Sequence, residues 1–328
     1  MMLEKVVAMA RARAAERSHP VMLAIAGDSA SGKTTLSEGL TAALGADQCL
    51  SISIDDYHRH DRVERAALAI TPLHPDGNHL DIVEQHLQLL ALGRPILKPV
   101  YDHATGTLGR PEYVEPPAFV IVEGLLPLQT KLMRACFDVT VYLDPPEDLR
   151  QRWKVARDTT TRGYSRTDVL AELARRAPDS EAFVRPQRRD ADIVVRFAPE
   201  VGPGADSPDA ALSADILLRP TIRHPALDRI LTEDRRAAVH LRIIRDDDGT
   251  PTDCLHVHGH ASAHDAREFG DAIWANLGVG AEPPSGLGLT GPDTRSEPLA
   301  LTQLILLHHL LHASSRHPTR DDGMLSRT

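Results

Sequence analysis

Short, mainly apolar runs alternate along the first two thirds of the chain with stretches whose apolar positions recur every three to four residues. The apolar runs are Val21 to Ala26, Cys49 to Ile54, Ala118 to Val122, Val139 to Leu143 and Ile193 to Phe197. Their length and continuity predict strands buried on both faces. Between them, helical periodicity marks Thr34 to Leu44, closed near Gly45, and Leu80 to Leu92, stopped by Gly93 and Pro95. Glu147 to Arg157 and Arg166 to Arg176 also predict helices, and Met2 to Arg17 predicts an amphipathic helix ahead of the first strand. This alternation predicts an α/β fold, an open and mostly parallel sheet flanked by helices. Ligands of such sheets gather beyond the carboxyl ends of the strands. Three predicted strands end at Gly27, Asp55 and Glu123, so these residues are expected at that edge.

The pattern changes near residue 198. Pro199 to Asp209 is rich in Pro, Gly and Asp and predicts a linker. Shorter elements follow at Asp215 to Arg219, Val239 to Arg245 and Cys254 to His258, then a helix from Ala263 to Leu277. Residues 278–298 are loop-like, Leu299 to His312 is a strongly apolar helix, and the remaining tail is polar. The expected division is a main domain over residues 1–198 and a small C-terminal α/β appendage over 199–328 packed on it.

Composition narrows the class. The 328 residues are 42% hydrophobic and 25% charged, which supports a sizeable core in a soluble globular protein. A formal net charge of −9 argues against bulk electrostatic binding of nucleic acid, while leaving room for a local basic pocket. Cys49, Cys136 and Cys254 lie far apart with no CxxC pair, so a disulfide framework is not expected and a reducing cytoplasm fits. No apolar stretch is long enough for a membrane span, and the first residues do not resemble a signal peptide.

The first chemistry comes from Gly27-Asp28-Ser29-Ala30-Ser31-Gly32-Lys33-Thr34, which fits G-x-x-x-x-G-K-[ST] between a predicted strand and a predicted helix. Glycines let successive backbone N–H groups turn inward around phosphate oxygens. The helix that follows aims its N-terminus at the same anion. Lys33 can reach the β and γ phosphates, and the Thr34 hydroxyl can bind Mg²⁺. Gly27 through Thr34, with Thr35, are therefore the expected nucleotide-binding residues, though the loop alone does not decide between a motor, a switch and a small-molecule kinase.

The acceptor must come from elsewhere. Ser53-Ile54-Asp55-Asp56-Tyr57-His58-Arg59 follows the second strand. A carboxylate at that strand end, facing the phosphate loop, suits a general base that takes a proton from an attacking alcohol.

At this point the chain resembles the phosphoribulokinase and uridine kinase superfamily. The motifs that carry the resemblance are DDYHRHDR from Asp55, HPDGNHLD from His74, KPVYDHATG from Lys98 and VIVEGLLPL from Val120. RDTTTRGYS from Arg157 and RRAPDSEAFVRPQRRDADIVVRF from Arg175 complete a match over residues 21–197. Its details are closer to the phosphoribulokinase branch, and PLALTQLILLHHLL from Pro298 adds a weaker match. The resemblance implies a P-loop kinase fold and phosphorylation of ribulose 5-phosphate at its C1 hydroxyl, with ATP and Mg²⁺ as the cofactors. It also implies a homo-oligomer, a dimer or larger.

Residue by residue, the resemblance makes Asp55 the catalytic base, with Lys33 and Arg162 as catalytic cations. His58 and Arg62 match positions that bind the sugar phosphate, and Tyr101 and His103 shape the acceptor pocket. Glu123 matches an acidic residue near Mg²⁺, and Asp158 joins Thr34 and Glu123 as an expected metal-side residue. Lys154 and Arg157 belong to a basic lid segment that runs through Arg162-Gly163, and Arg175 and Arg176 are expected to be structural or to support it. The sequence also departs from relatives. Leu126 stands where many have His after EGL, and Ser31 and Ser53 stand where the plant and cyanobacterial type has redox-active cysteines. Thioredoxin switching through that pair is therefore not expected.

Two other readings stay open: a uridine kinase-like or other small-molecule kinase on the same scaffold, and a nucleotide-dependent regulatory or binding protein without turnover. A nucleoside acceptor would need an aromatic stacking partner, and only 4% of the chain is aromatic. Lys33, Asp55, Glu123 and Arg162 together argue against lost catalysis.

Overall fold

The computed structural model describes residues 19–314, except 201–206, 208–209, 232–237, 278–282, 285 and 292–293. The helix expected over Met2 to Arg17, most of the linker after Pro199 and the polar tail lie outside the described residues. Among the described residues, eight strands form one sheet in the order β11-β12-β10-β9-β8-β1-β7-β2. Five of them run parallel: β1 (Val21–Gly27), β2 (Cys49–Ser53), β7 (Phe119–Gly124), β8 (Val139–Leu143) and β9 (Ile193–Pro199). Every residue of β1 and β8 is buried, as continuous apolar runs at the centre of a parallel sheet should be.

Side chains of β1 alternate between the two faces. Val21, Leu23 and Ile25 join the core under α1 (Lys33–Leu44), together with Leu36, Leu40 and Leu44 of that helix. Met22 joins Val120 and Val122 on the opposite face, under Val83, Leu87 and Leu90 of α3 (Leu80–Ala91). Helices thus cover both faces, as the alternating sequence pattern requires.

The strands after residue 198 extend this same sheet. β10 (Leu212–Leu218) pairs antiparallel with β9, β12 (Pro251–Val257) with β10, and β11 (Val239–Arg245) with β12. Helices α8 (Ala263–Asn276) and α9 (Glu297–Ala313) pack into the α1 side of the core. Residues 298–311 of α9 are buried on every side, which accounts for a helix apolar all round. No described helix is long and apolar enough to cross a membrane. Cys49, Cys136 and Cys254 are free thiols. Burial pushes Cys49 up to about 12 and Cys254 up to about 11, so both behave as small hydrophobes.

Several short elements were not anticipated. α2 (Arg62–Ala67) carries a capping box between Asp61 and Glu64. Two small hairpins pair β3 (Ile96–Lys98) with β6 (Glu112–Val114) and β4 (Tyr101–Asp102) with β5 (Thr107–Leu108). Strands of two or three residues are too short to show a period.

Candidate active site

The loop between β1 and α1 has the backbone shape of an anion cradle. Ala30 and Gly32 adopt left-handed φ values of 63° and 96°. Such residues turn neighbouring N–H groups inward. A non-glycine residue in that region costs about 1–2 kcal/mol, so Ala30 is held there by its surroundings. Asp28 supplies part of that hold. Its carboxylate accepts from Ser29 N–H at 2.7 Å and from the Ser180 hydroxyl, and Arg150 lies 3.6 Å away. Arg150, on α5 (Glu147–Thr160), also donates to the Ser29 carbonyl at 2.8 Å and is clamped by Glu147.

Lys33 folds back on its own loop, donating to the carbonyls of Gly27 at 3.0 Å and Asp28 at 2.8 Å. Burial lowers its pKa, against the pull of Glu123, Asp55 and Asp28. Ser31 is fully buried, and its hydroxyl has no hydrogen-bond partner among the described residues.

Parallel register brings the carboxylates to this edge. β7 lies between β1 and β2, pairing Glu123 with Ile25 on one side and Ser53 on the other. The Thr34 hydroxyl donates to the two Glu123 oxygens at 3.3 and 3.4 Å. Burial raises the Glu123 pKa, Lys33 counters this, and Asp55 pushes it further up. The orphaned Ser31 hydroxyl, the left-handed cradle and the Thr34–Glu123 oxygen pair fit a phosphate chain with a hard cation beside it.

Asp55 sits in a 3₁₀ turn, Ile54–Tyr57, entered through the Ser53 hydroxyl, which accepts from Asp55 N–H. No hydrogen bond reaches the Asp55 carboxylate among the described residues. Burial pushes its pKa up, but His58, His103, Lys33 and Arg176 outweigh this and hold it below the ordinary carboxylate value. Asp56 plays a different part. It accepts from Lys98 at 2.8 Å and from Tyr101 N–H at 3.0 Å, fixing the hairpins against the turn.

The far wall carries Arg62 and Arg65 beside two histidines, and burial lowers the pKa of one of them, His58, against the pull of Asp55. Buried His58 contacts Asn78 Oδ1 through Nδ1 at 2.8 Å and meets the Tyr101 ring edge-on at 4.9 Å. His103 meets the same ring at 5.0 Å, and Arg62 donates to the His103 carbonyl at 2.6 Å. Sequence reasoning missed Arg65. It is buried, donates to the Tyr101 hydroxyl at 2.6 Å and lies 5.0 Å over that ring. The available signal was its place three residues after Arg62 on one short helix.

On α5, Lys154 donates to Asp158 Oδ2 at 2.8 Å and Arg157 to Oδ1 at 2.9 Å, while Arg162 lies 3.5 Å from Oδ1. Asp158 was expected beside the metal. The structure engages both its oxygens with three cations, Lys154, Arg157 and Arg162. Burial lowers the Lys154 pKa, and Asp158 opposes that shift. Arg175 and Arg176 hold Glu172.

A single cleft of about 980 Å³ brings these groups together. It is lined by residues 29–35, Asp55, His58, Arg62, Tyr101, His103, Glu123, Lys154, Arg157, Asp158 and Arg162. Of the expected site residues, Gly27 and Asp28 do not line it; they brace the loop from behind. Leu126, in place of a histidine, is wholly buried with Leu73, Leu125 and Val184.

The model of the phosphoribulokinase / uridine kinase family matches residues 22–202. Phosphoribulokinase from Synechocystis sp. is 40% identical over 179 residues, covering 55% of this chain and 54% of that protein. Chloroplastic phosphoribulokinase from Chlamydomonas reinhardtii is 31% identical over 202 residues, covering 56% and 54%. Uridine kinase from Chloroflexus aurantiacus is 32% identical over 183 residues, covering 54% of this chain and 87% of that protein. The chain spans about half the length of the curated phosphoribulokinases it matches. Among solved structures, phosphoribulokinase from Rhodobacter spheroides shares the fold, with a TM-score of 0.57 at 17% identity over 91% of this chain and 99% of that chain. The chain belongs to the phosphoribulokinase and uridine kinase family.

Proposed function

We propose that this protein transfers the γ-phosphoryl group of ATP to the C1 hydroxyl of D-ribulose 5-phosphate, giving ribulose 1,5-bisphosphate and ADP. The observation that carries the reading is the Asp55 carboxylate, held below its ordinary pKa and without a hydrogen bond among the described residues, in one cleft with the phosphate loop, Arg62 and Arg65. Asp55 accepts the hydroxyl proton as the oxygen attacks, which requires its base form. Arg62 and His58 take the sugar's distal phosphate. Lys33 leaves its loop carbonyls for the phosphate oxygens, and Arg157 and Arg162 meet the charge that spreads over the transferring group. Thr34 and Glu123 are the residues that would hold Mg²⁺. Bound there, the ion neutralises charge on the phosphate oxygens.

Tyr101 favours a sugar phosphate over a nucleoside. Its hydroxyl and ring are already engaged by Arg65, His58 and His103, so it is not free to stack a base. The test is ADP release with ATP and Mg²⁺ against ribulose 5-phosphate, uridine, cytidine, pantothenate and glycerate. Stimulation by ribulose 5-phosphate alone is expected; stimulation by uridine in its place moves the protein to the nucleoside branch.

A further inference from the structure

The outer, antiparallel part of the sheet carries a second cluster of chemistry far along the chain from the phosphate loop. In Cys254-Leu255-His256-Val257-His258, alternate residues point to one face of β12. Leu255 and Val257 enter the main core, so His256 and His258 lie on the opposite, open face. Cross-strand register puts His240 of β11 directly opposite His256 on one side and Asp215 of β10 opposite it on the other. Glu200, just past β9, reaches the same place.

The ring centroids of His240, His256 and His258 lie 4.7 to 5.1 Å apart. One Glu200 oxygen and one ring nitrogen each from His256 and His258 lie within 4.8 Å of one another. We propose that His240, His256, His258 and Glu200 form a site for a divalent transition metal of the Zn²⁺ class.

The hydrogen bonds around the cluster prepare it for a metal. His256 Nδ1 faces Asp215 Oδ1 at 2.6 Å, and His258 Nδ1 faces Glu200 Oε1 at 3.1 Å. Asp215 fixes the proton of His256 on Nδ1 and leaves its Nε2 with a lone pair, the arrangement that orients imidazole ligands. Arg242 holds Asp215 in turn at 2.9 Å, and Gly259 N–H donates to Glu200 at 2.8 Å. His240 Nδ1 and His258 Nε2 are 3.2 Å apart. Two nitrogens bound to one tetrahedral ion at about 2.1 Å would be about 3.4 Å apart, so this pair already has ligand spacing. Binding through His258 Nε2 requires the Glu200 carboxylate to swing from Nδ1 to the ion. Three nitrogens and one carboxylate select Zn²⁺ and its neighbours over Mg²⁺, which prefers oxygen. The ion would tie edge strand β11 to β12 and to the end of β9. Half-buried side chains leave it a path from solvent.

The proposal does not depend on the kinase reading, and its test reads metal directly. The full chain, stripped with a chelator and kept in excess Mg²⁺ to fill oxygen-rich sites, is titrated with Zn²⁺ against a chromophoric competitor. One equivalent per chain is expected, with a tetrahedral visible spectrum when Co²⁺ replaces Zn²⁺. The His256→Ala/His258→Ala pair should abolish the equivalent. Asp215→Asn, which only orients His256, should weaken it roughly 10–100-fold. Circular dichroism checks folding; if the pair does not fold, His258→Asn and Glu200→Gln singly must each weaken binding. Absence of binding, or an equivalent indifferent to these substitutions, overturns the proposal.

Discussion

Gln303 of α9 donates to the carbonyl of Thr35, in the first turn of α1, at 3.2 Å, across 268 positions of sequence. Its Oε1 accepts from Gly288 N–H at 2.7 Å. A Cβ on Gly39 would lie 2.0 Å from Gln303 Nε2, so glycine at 39 leaves room for the buried Gln303 side chain. Alanine is the better helix former by about 1 kcal/mol, yet Gly39→Ala should destabilise by about 1–3 kcal/mol through overpacking. Thermal unfolding measures this. Gln303→Ala in the same chain should recover part of the loss, and additive effects would show that the two residues do not meet.

Asp246 lies between Arg188 at 2.7 Å and Arg219 at 2.6 Å, and Arg188 also holds Asp144 just past β8. Burial pushes the Asp246 carboxyl up, but Arg188, the Asp247 N–H and Arg219 outweigh this and hold it at about 2, against an ordinary 3.8. A depressed folded-state pKa contributes stability that is fully present above the unfolded value. That contribution is lost as pH falls from 3.8 towards 2. Asp246→Asn should therefore cost about 3 kcal/mol near neutral pH, because two part-buried arginines lose a counter-charge. It should also flatten the stability profile below pH 4. Urea unfolding over that window checks both effects.

Asp158 and Glu123 should separate by their dependence on Mg²⁺. Asp158→Asn frees Lys154, Arg157 and Arg162 from a shared anchor. Turnover should fall about 10²-fold, the scale of one misplaced charge-stabilising group, at an unchanged Mg²⁺ requirement. Glu123→Gln should raise the Mg²⁺ concentration needed for half-maximal rate. A raised Mg²⁺ requirement in Asp158→Asn would return that residue to the metal.

Legibility in the sequence followed the length of the signal. The parallel strands and the phosphate loop were readable because buried strands leave unbroken apolar runs and the loop leaves a spaced motif. Asp55 and Glu123 were readable because both end such runs. Spacing alone does not separate two readings of Asp158, because i,i+4 spacing from Lys154 suits an anchor and a ligand equally well. Arg65 was missed because its partner, Tyr101, is 36 positions away on a strand of two residues. The apolar α9 was plain as a helix. Only the packing shows that it is closed in by this chain's own core, with Gln303 reaching the phosphate-loop helix. His256 and His258 passed unremarked within one short element, because Asp215 and His240 meet them through strand pairing that sequence spacing does not display.

Asp55→Asn tests the proposed chemistry most directly. The substitution keeps the shape of the side chain and removes the proton acceptor, so turnover should fall about 10²–10⁴-fold. ATP affinity should stay nearly constant, because Lys33, Thr34 and the loop backbone are untouched. The Asp55 pKa is depressed, so its base form persists to below the ordinary carboxylate range. Deprotonation of Asp55 should therefore set no limb of the kcat/KM profile near neutral pH. Arg176 is one of the cations that hold the value down, and Arg176→Gln should move any acid limb due to Asp55 upwards. Rate measurements across the acid range and nucleotide-binding titrations read both effects. Collapse of ATP binding in Asp55→Asn would make this carboxylate a support of the phosphate loop in place of the base.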